Sequence, residues 1–274
     1  MRHTQIFLIS VLLQLLCAGA SCQSCALLFF GVLRGFDIVL PSIQNKILDV
    51  NPACHVYAHT YNISKLINLR NAENGSVFFE QIQKLTRNVS IDTRESFTAI
   101  RNLTYYRTLF PGNVIFGWKY PTSIDNMIMQ WHSIERVWDL MMIAENKMNI
   151  RYQQIGLFRS DVKYMTPINI YAGNAVIPNF ANWPMNDRLF FGKRKYAKHW
   201  ATARFDMIAT YLKKNKHVGL HSETFMAFLM QNIQVKKLPI CFFRVRLTGK
   251  IKTDDCVPLV TIKRAFNKND ARHV

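Results

Sequence analysis

The run CALLFF at Cys25–Phe30 places six apolar residues in a row before Gly31, and VLRG carries the stretch on to Gly35. A strand with one wet face alternates apolar and polar residues. An unbroken apolar run argues instead for a strand covered on both faces, as in a parallel sheet. The following segment, FDIVLPSIQNKILDV, has apolar residues near helical spacing, with Pro41 suiting an early turn. CHVYAHTY at Cys54–Tyr61 reads as a second strand, which completes a β-α-β opening.

The clearest helix is TSIDNMIMQWHSIERVWDLMMIAENKM, Thr122–Met148. Thr122 and Asp125 form a capping-box-like start after Pro121. Ile124, Met127, Ile128, Trp131, Ile134, Trp138 and Met141 hold helical spacing and predict one buried face, with Gln130, Glu135 and Asp139 off it. YQQIGLF then predicts a strand that runs into Arg159-Ser160-Asp161. NAVIPNF and DRLFFG come next as strands, then helices from about Lys195 to Leu212 and from near Ser222, and VKKLPICFFRVRLTG as one late strand. This rhythm predicts an α/β fold, a Rossmann-type, mostly parallel central sheet flanked by helices, as a single domain over residues 25–250. Residues 62–113 read as loop-rich with short helical patches such as Val77–Leu85, and residues 251–274 as a basic C-terminal tail.

The two ends and the charge bound the setting. Residues 1–20 have a short positive start, Arg2 and His3, an apolar run from Ile6, and a small-x-small signal at Ala18-Gly19-Ala20. That predicts a secretory signal peptide, with an uncleaved N-terminal anchor as the alternative. Sequons at Asn62, Asn74, Asn88 and Asn102 fit a lumenal chain. Cysteines 22, 25, 54, 241 and 256 come after the leader; one or two disulfides are expected, Cys241 with Cys256 closing a short loop, and no zinc spacing is present. Lys+Arg exceed Asp+Glu by 18 among 274 residues. Such a surface draws polyanions or merely keeps the chain soluble. Nucleic acid is a poor partner for a secretory chain without a nucleic-acid motif.

Three places could carry chemistry. In open α/β sheets ligands bind beyond the carboxyl ends of strands. Asp161 stands at such an end, where a lone carboxylate can hold Mn2+ or Mg2+ shared with a substrate diphosphate, and Arg159 beside it can clamp phosphate. Read from spacing alone, the pattern favours Asp161 as a turn cap and Arg159 as a surface charge. Asn186-Asp187-Arg188 precedes the strand closed by Gly192; its acid could orient sugar hydroxyls and its arginine could pair with phosphate, or the triplet is a turn. His221-Ser222-Glu223 opens a helix, where His221 or Glu223 could be a general base, or Ser and Glu are ordinary helix-start residues. P-loop, GxGxxG, GxSxG and HExxH patterns are absent.

In order, FFGVLRGFDIVLPSI, HVYAHTY, QWHSIERVWDL, FRSDV, IPNFANWPMNDRLFFG, LHSETF and FRVRLTG resemble a family of predicted glycosyltransferase-like proteins with a GT-A-like nucleotide-sugar-transferase fold, many of them known only as domains of unknown function. The resemblance covers most of residues 25–250 and skips the sequon-rich middle. It implies a donor nucleotide near Gly31 and Arg34, with Gln130 and Trp131 on the helix lining the donor site. It implies Asp161 as the metal- and diphosphate-holding carboxylate, and Asp187 and Arg188 facing sugar or acceptor. A full D-x-D pattern would place an acid at position 159; this chain has Arg159, and a basic residue can itself neutralise a leaving diphosphate. The expectation is a glycosyltransferase of the ER or Golgi lumen or a secreted one, moving a sugar from a nucleotide-sugar donor to a hydroxyl of a glycan, protein or lipid acceptor. Membrane contact would come only through an uncleaved N-terminal segment. The alternative is a secreted carbohydrate- or polyanion-binding protein on a degenerate transferase fold.

Overall fold

Every residue of CALLFF is buried because the strand has a neighbour on each side and a covered surface above and below. The computed structural model describes residues 24–68, 71–112, 118–181, 183–215 and 219–256. The expected leader, Cys17, Cys22 and residues 257–274 lie outside them. In chain order the strands are β1 (Cys25–Phe30), β2 (His55–Asn62), β3 (Lys65–Asn68), β4 (Glu73–Ser76), β5 (Val89–Thr93), β6 (Gln154–Arg159), β7 (Val162–Tyr164), β8 (Ala175–Pro178), β9 (Phe190–Lys193), β10 (Lys236–Leu238), β11 (Phe242–Val245) and β12 (Ile251–Lys252). The α-helices are α1 (Phe36–Ile43), α2 (Arg94–Ile100), α3 (Leu103–Thr108), α4 (Thr122–Met148), α5 (Arg194–Thr202), α6 (Arg204–Lys214) and α7 (Ser222–Leu229).

The central sheet has seven strands in the order β10-β8-β9-β6-β1-β2-β5. β1 pairs in parallel with both β2 and β6, β2 pairs in parallel with β5, and β9 alone runs antiparallel to its two neighbours. The two-residue period of a strand splits β1 between two cores. Cys25, Leu27 and Phe29 join the cluster holding Val39, Ile43, Ile128 and Trp131, while Ala26, Leu28 and Phe30 join the one holding Val137, Trp138, Met141 and Trp200. Complete burial of each of these Leu and Phe side chains stabilises by about 1.5–3 kcal/mol. All seven residues of the predicted α4 stripe are buried, from Ile124 to Met141. The mostly parallel α/β sheet flanked by helices is therefore the fold that the apolar runs predict.

Differences lie at turns and edges. α4 starts without a capping box: no side chain caps it, and Asp125 instead takes two hydrogen bonds from the Arg107 guanidinium, Nε at 2.9 Å and Nη2 at 2.7 Å. A bidentate guanidinium holds a carboxylate more firmly than a single backbone N–H. The predicted helix over Lys195–Leu212 is two helices meeting at Ala203. VKKLPICFFRVRLTG is two strands in two sheets, because Pro239 lacks the N–H a continuous ladder needs. β10 ends the central sheet, and β11 joins a small antiparallel sheet, β12-β11-β7. The 62–113 stretch supplies the β3–β4 hairpin and the edge strand β5. Its four sequon asparagines, Asn62, Asn74, Asn88 and Asn102, are all exposed. Disulfides join Cys25 to Cys54 and Cys241 to Cys256, the second as expected. Among the described residues, no helix is long and apolar enough to cross a membrane.

Candidate functional site

The parallel strands β1 and β6 end side by side, with Phe30 opposite Arg159. The turn leaving β1 therefore meets the turn leaving β6. After β1, Gly31 turns with φ +108°, a left-handed region that favours glycine, and α1 starts beyond Gly35. Arg34, in this turn, lies over the end of β6, and its Nη1 donates to Asp161 Oδ2 at 2.8 Å. Arg159 reaches the same carboxylate with two bonds, Nε to Oδ1 at 2.7 Å and Nη2 to Oδ2 at 2.8 Å. Its Nη1 donates to Gln130 Oε1 of α4 at 2.9 Å. Both Asp161 and Arg34 are buried. Burial alone would raise the Asp161 carboxyl, but the two guanidinia outweigh it and hold the group below the usual carboxylate range. Burial likewise pulls the Arg159 guanidinium down, and Asp161 more than offsets it. Asp161 is the anchor of an arginine pair, not a simple turn cap.

Beside this half of the cleft stands an acidic half. Asp187 is buried, and its Oδ2 accepts a hydrogen bond from the Ser222 hydroxyl at the start of α7. Burial and the nearby Glu223 charge raise the Asp187 carboxyl. For Glu223 burial acts the same way, but the hydrogen bond and charge of His221, with Nε2 3.0 Å from Oε2, lower it. The Trp118 ring packs on His221 at 5.1 Å between centroids. Gln130 links the halves: it accepts from Arg159 and its Nε2 lies 3.4 Å from the Asp187 carbonyl oxygen. Asn186 makes the turn expected of the Asn186–Arg188 triplet, accepting from Arg188 N at 2.9 Å. The turn reading thus holds for Asn186, while Asp187 faces the cleft.

The cleft is lined by Gly31, Arg34, Gln130, Arg159, Asp161, Asp187, Arg188 and Glu223, all read as candidates in the sequence. Trp131 is one exception. It is fully buried and stacked on Phe225 at 4.9 Å, so its helical position serves the core and not the donor site. His221 does not line the cleft either; it meets Glu223, with Nε2 3.0 Å from Oε2. Arg244 and Arg246 also line the cleft, and sequence reasoning missed them. The R-V-R run at Arg244–Arg246, which starts in β11 and ends one residue beyond it, was the available signal, since residues two apart in extended backbone share a face. Burial and the neighbouring Arg244 charge lower the Arg246 guanidinium to about 10, which leaves it charged at neutral pH.

The expected metal role of Asp161 meets a crowded carboxylate. Of roughly four lone-pair positions on a carboxylate, three are taken by guanidinium hydrogens. Among the described residues no three His, Cys, Asp or Glu side chains group as metal ligands. Asp161, bridged in this way, does not fit a resident divalent cation.

Behind the cleft wall the Gly31 N–H donates to Ser133 Oγ at 2.8 Å, and His59 Nδ1 lies 2.7 Å from the same hydroxyl. Asp92 Oδ2 takes His59 Nε2 at 3.2 Å and His132 Nε2 at 2.8 Å, while His132 Nδ1 accepts from Arg101 Nε at 3.2 Å. Both imidazoles are fully buried, and burial lowers both, His132 to about 4.

No family model matches the chain, and no curated protein matches it. Among solved structures, the glycosyltransferase GlyE of Streptococcus pneumoniae TIGR4 aligns at 9% identity with a TM-score of 0.36, over 79% of this chain and 45% of that one. Its apo form aligns at 10% identity with a TM-score of 0.35, over 78% and 45%. This chain thus spans less than half of either, and at these values the likeness carries no argument about its chemistry.

Proposed function

We propose that the chain transfers a sugar from a nucleotide-sugar donor to an acceptor hydroxyl in the lumen of the secretory pathway or outside the cell. The observation that carries this reading is the two-part cleft at the carboxyl ends of β1 and β6. A cationic half, Arg34 and Arg159 around Asp161, adjoins an acidic half, Asp187 and Glu223, with Gln130 between them. Sugar transfer needs both halves. The bond from anomeric carbon to phosphate oxygen breaks and its electron pair leaves with the diphosphate, which cations stabilise. The acceptor oxygen bonds to the anomeric carbon and gives its proton to a base. Glu223 is the base in this reading, because His221 keeps it ionised, and Asp187 holds the sugar or acceptor hydroxyls. The two disulfides and the four exposed sequon asparagines support the lumenal setting. The test is release of nucleoside diphosphate from a panel of nucleotide sugars. One donor should be turned over, with Glu223→Gln lowering kcat about 10²–10⁴-fold while nucleotide binding persists. No release from any donor, with or without candidate acceptors, would refute the reading.

A second reading has its own observation. At the amino ends of the parallel strands, Arg151, Lys193, Arg194, Lys195 and Lys198 line a separate cleft of about 680 Å³. Arg194 is tied to Glu145, but the other four are exposed. A polyanion-binding protein would use this face and would be retained on heparin in a salt-dependent way. Retention insensitive to salt would count against it.

A further inference from the structure

The geometry points to a donor site that holds the diphosphate directly on arginine side chains, without a divalent cation. This inference rests on the transferase reading for the identity of its ligand. It starts from Asp161, whose oxygens are spent on Arg34 and Arg159. A carboxylate that is free to bind a cation recruits positive charge; one already bridged by two guanidinia fixes them in place instead.

The same end of the cleft is rich in arginine. Arg34, Arg159, Arg244 and Arg246 all line it. Arg34 is paired with Asp161 and with Glu73, the latter 3.6 Å from its Nε, and Arg159 is paired with Asp161. Arg244 and Arg246 extend this cationic wall beyond the anchored pair Arg34 and Arg159. A sugar-linked diphosphate is a dianion that gains one further charge on leaving. The fixed guanidinia meet the charge that develops. Burial first, and then the Arg244 charge, lower the Arg246 guanidinium, and a bound anion would act in the opposite direction.

The backbone holds this cluster in register. Val245, the last residue of β11 and flanked by Arg244 and Arg246, donates its N–H to the Asp161 carbonyl at 3.0 Å, and Leu247 donates to Glu73 Oε1 at 2.8 Å. The segment carrying Arg244 and Arg246 is thus hydrogen-bonded to the residue that orients Arg34 and Arg159. Gly35 makes the close approach possible, since a Cβ there would lie 2.5 Å from Val245 Cγ1.

The experiment is calorimetric titration of the chain with the diphosphates of uridine, guanosine and adenosine, and with inorganic pyrophosphate, first in EDTA and then with Mn2+ in excess. The expected result is binding of one nucleoside diphosphate in EDTA, unchanged by Mn2+, and weakened about 10- to 100-fold in Arg246→Gln, as for the loss of a charge-assisted hydrogen bond. The EDTA-versus-Mn2+ comparison on the unaltered chain decides the matter even if that variant does not fold. Binding only with Mn2+ would overturn the inference and leave the transferase reading standing. Pyrophosphate binding in EDTA, with no nucleotide bound in either condition, would keep the arginine site and overturn the transferase reading. No binding of any probe in either condition would overturn both.

Discussion

Replacing Asp161 by asparagine removes the negative charge shared by two guanidinia, that of Arg34 buried and that of Arg159 partly buried. The carboxylate accepts from Arg34 Nη1 at 2.8 Å, Arg159 Nε at 2.7 Å and Arg159 Nη2 at 2.8 Å. The amide keeps an acceptor at one oxygen and turns an NH2 toward arginine at the other, so at least one of the three bonds becomes a donor facing a donor. Breaking a buried ion pair on one side costs about 3–5 kcal/mol, because the partner charge stays behind unpaired. At about 2–4 °C per kcal/mol for a chain of this size, the melting temperature should fall by roughly 10 °C. A dependence on pH accompanies this. The folded carboxyl titrates below its unfolded value, so its contribution is complete above about pH 4 and fades as pH falls further. Urea denaturation of the parent and Asp161→Asn should give midpoints well apart at pH 7 that converge as pH drops below 4. A difference under about 1 kcal/mol at pH 7 would refute the argument, since a pair of that size behaves as an exposed one. So would a difference that persists undiminished at low pH.

The paired imidazoles predict a second dependence on pH. Neutral His132 is satisfied on both nitrogens, by Arg101 and Asp92, and a second proton would have to face Arg101. Its folded pKa lies below the ordinary value, so the unfolded chain takes up protons first and stability falls as pH drops from about 6.5 toward about 4. Urea midpoints at pH 7 and pH 5 should differ by about 2 kcal/mol, less in His132→Gln; equal midpoints in the parent would contradict this. Gly192→Ala would press a Cβ onto the carbonyl oxygen of Asn174, which also accepts from Lys193 N at 2.7 Å. The cost should reach the upper end of the ~1–3 kcal/mol of overpacking, and an unchanged thermal midpoint would show that the β8–β9 pair moves apart freely.

The parallel core was legible because burial on both faces leaves no choice of residue. CALLFF and QIGLF are apolar almost throughout, and α4 repeats its stripe for five turns. The boundaries were less legible where one residue decides them, as at Pro239, which divides β10 from β11. At the cleft, the acids and the Arg159–Asp161 pair could be read because each stands at the end of a strand or start of a helix. Their partners could not. Arg34 and Asp161 are 127 residues apart, and only the pairing of β1 with β6 brings them together. Trp131 misled because a tryptophan on a helix face looks the same in sequence whether the face meets a ligand or, as here, Phe225. The His59–Asp92–His132 group joins β2, β5 and α4, and no local pattern marks it.

The Cys241–Cys256 bridge bears on how this chain is handled at the bench. It closes the segment that contains Arg244, Arg246 and the β11–β12 hairpin, so a covalent clip holds two of the cleft's arginines against β7. No thiol stands among the described residues that line the cleft, yet dithiothreitol in a buffer would release that clip and let the hairpin drift from the anchored pair Arg34 and Arg159. A preparation made in a reducing cytosol would lack this bridge and the Cys25–Cys54 bridge of β1 as well, so nucleotide-binding tests belong on the oxidised chain.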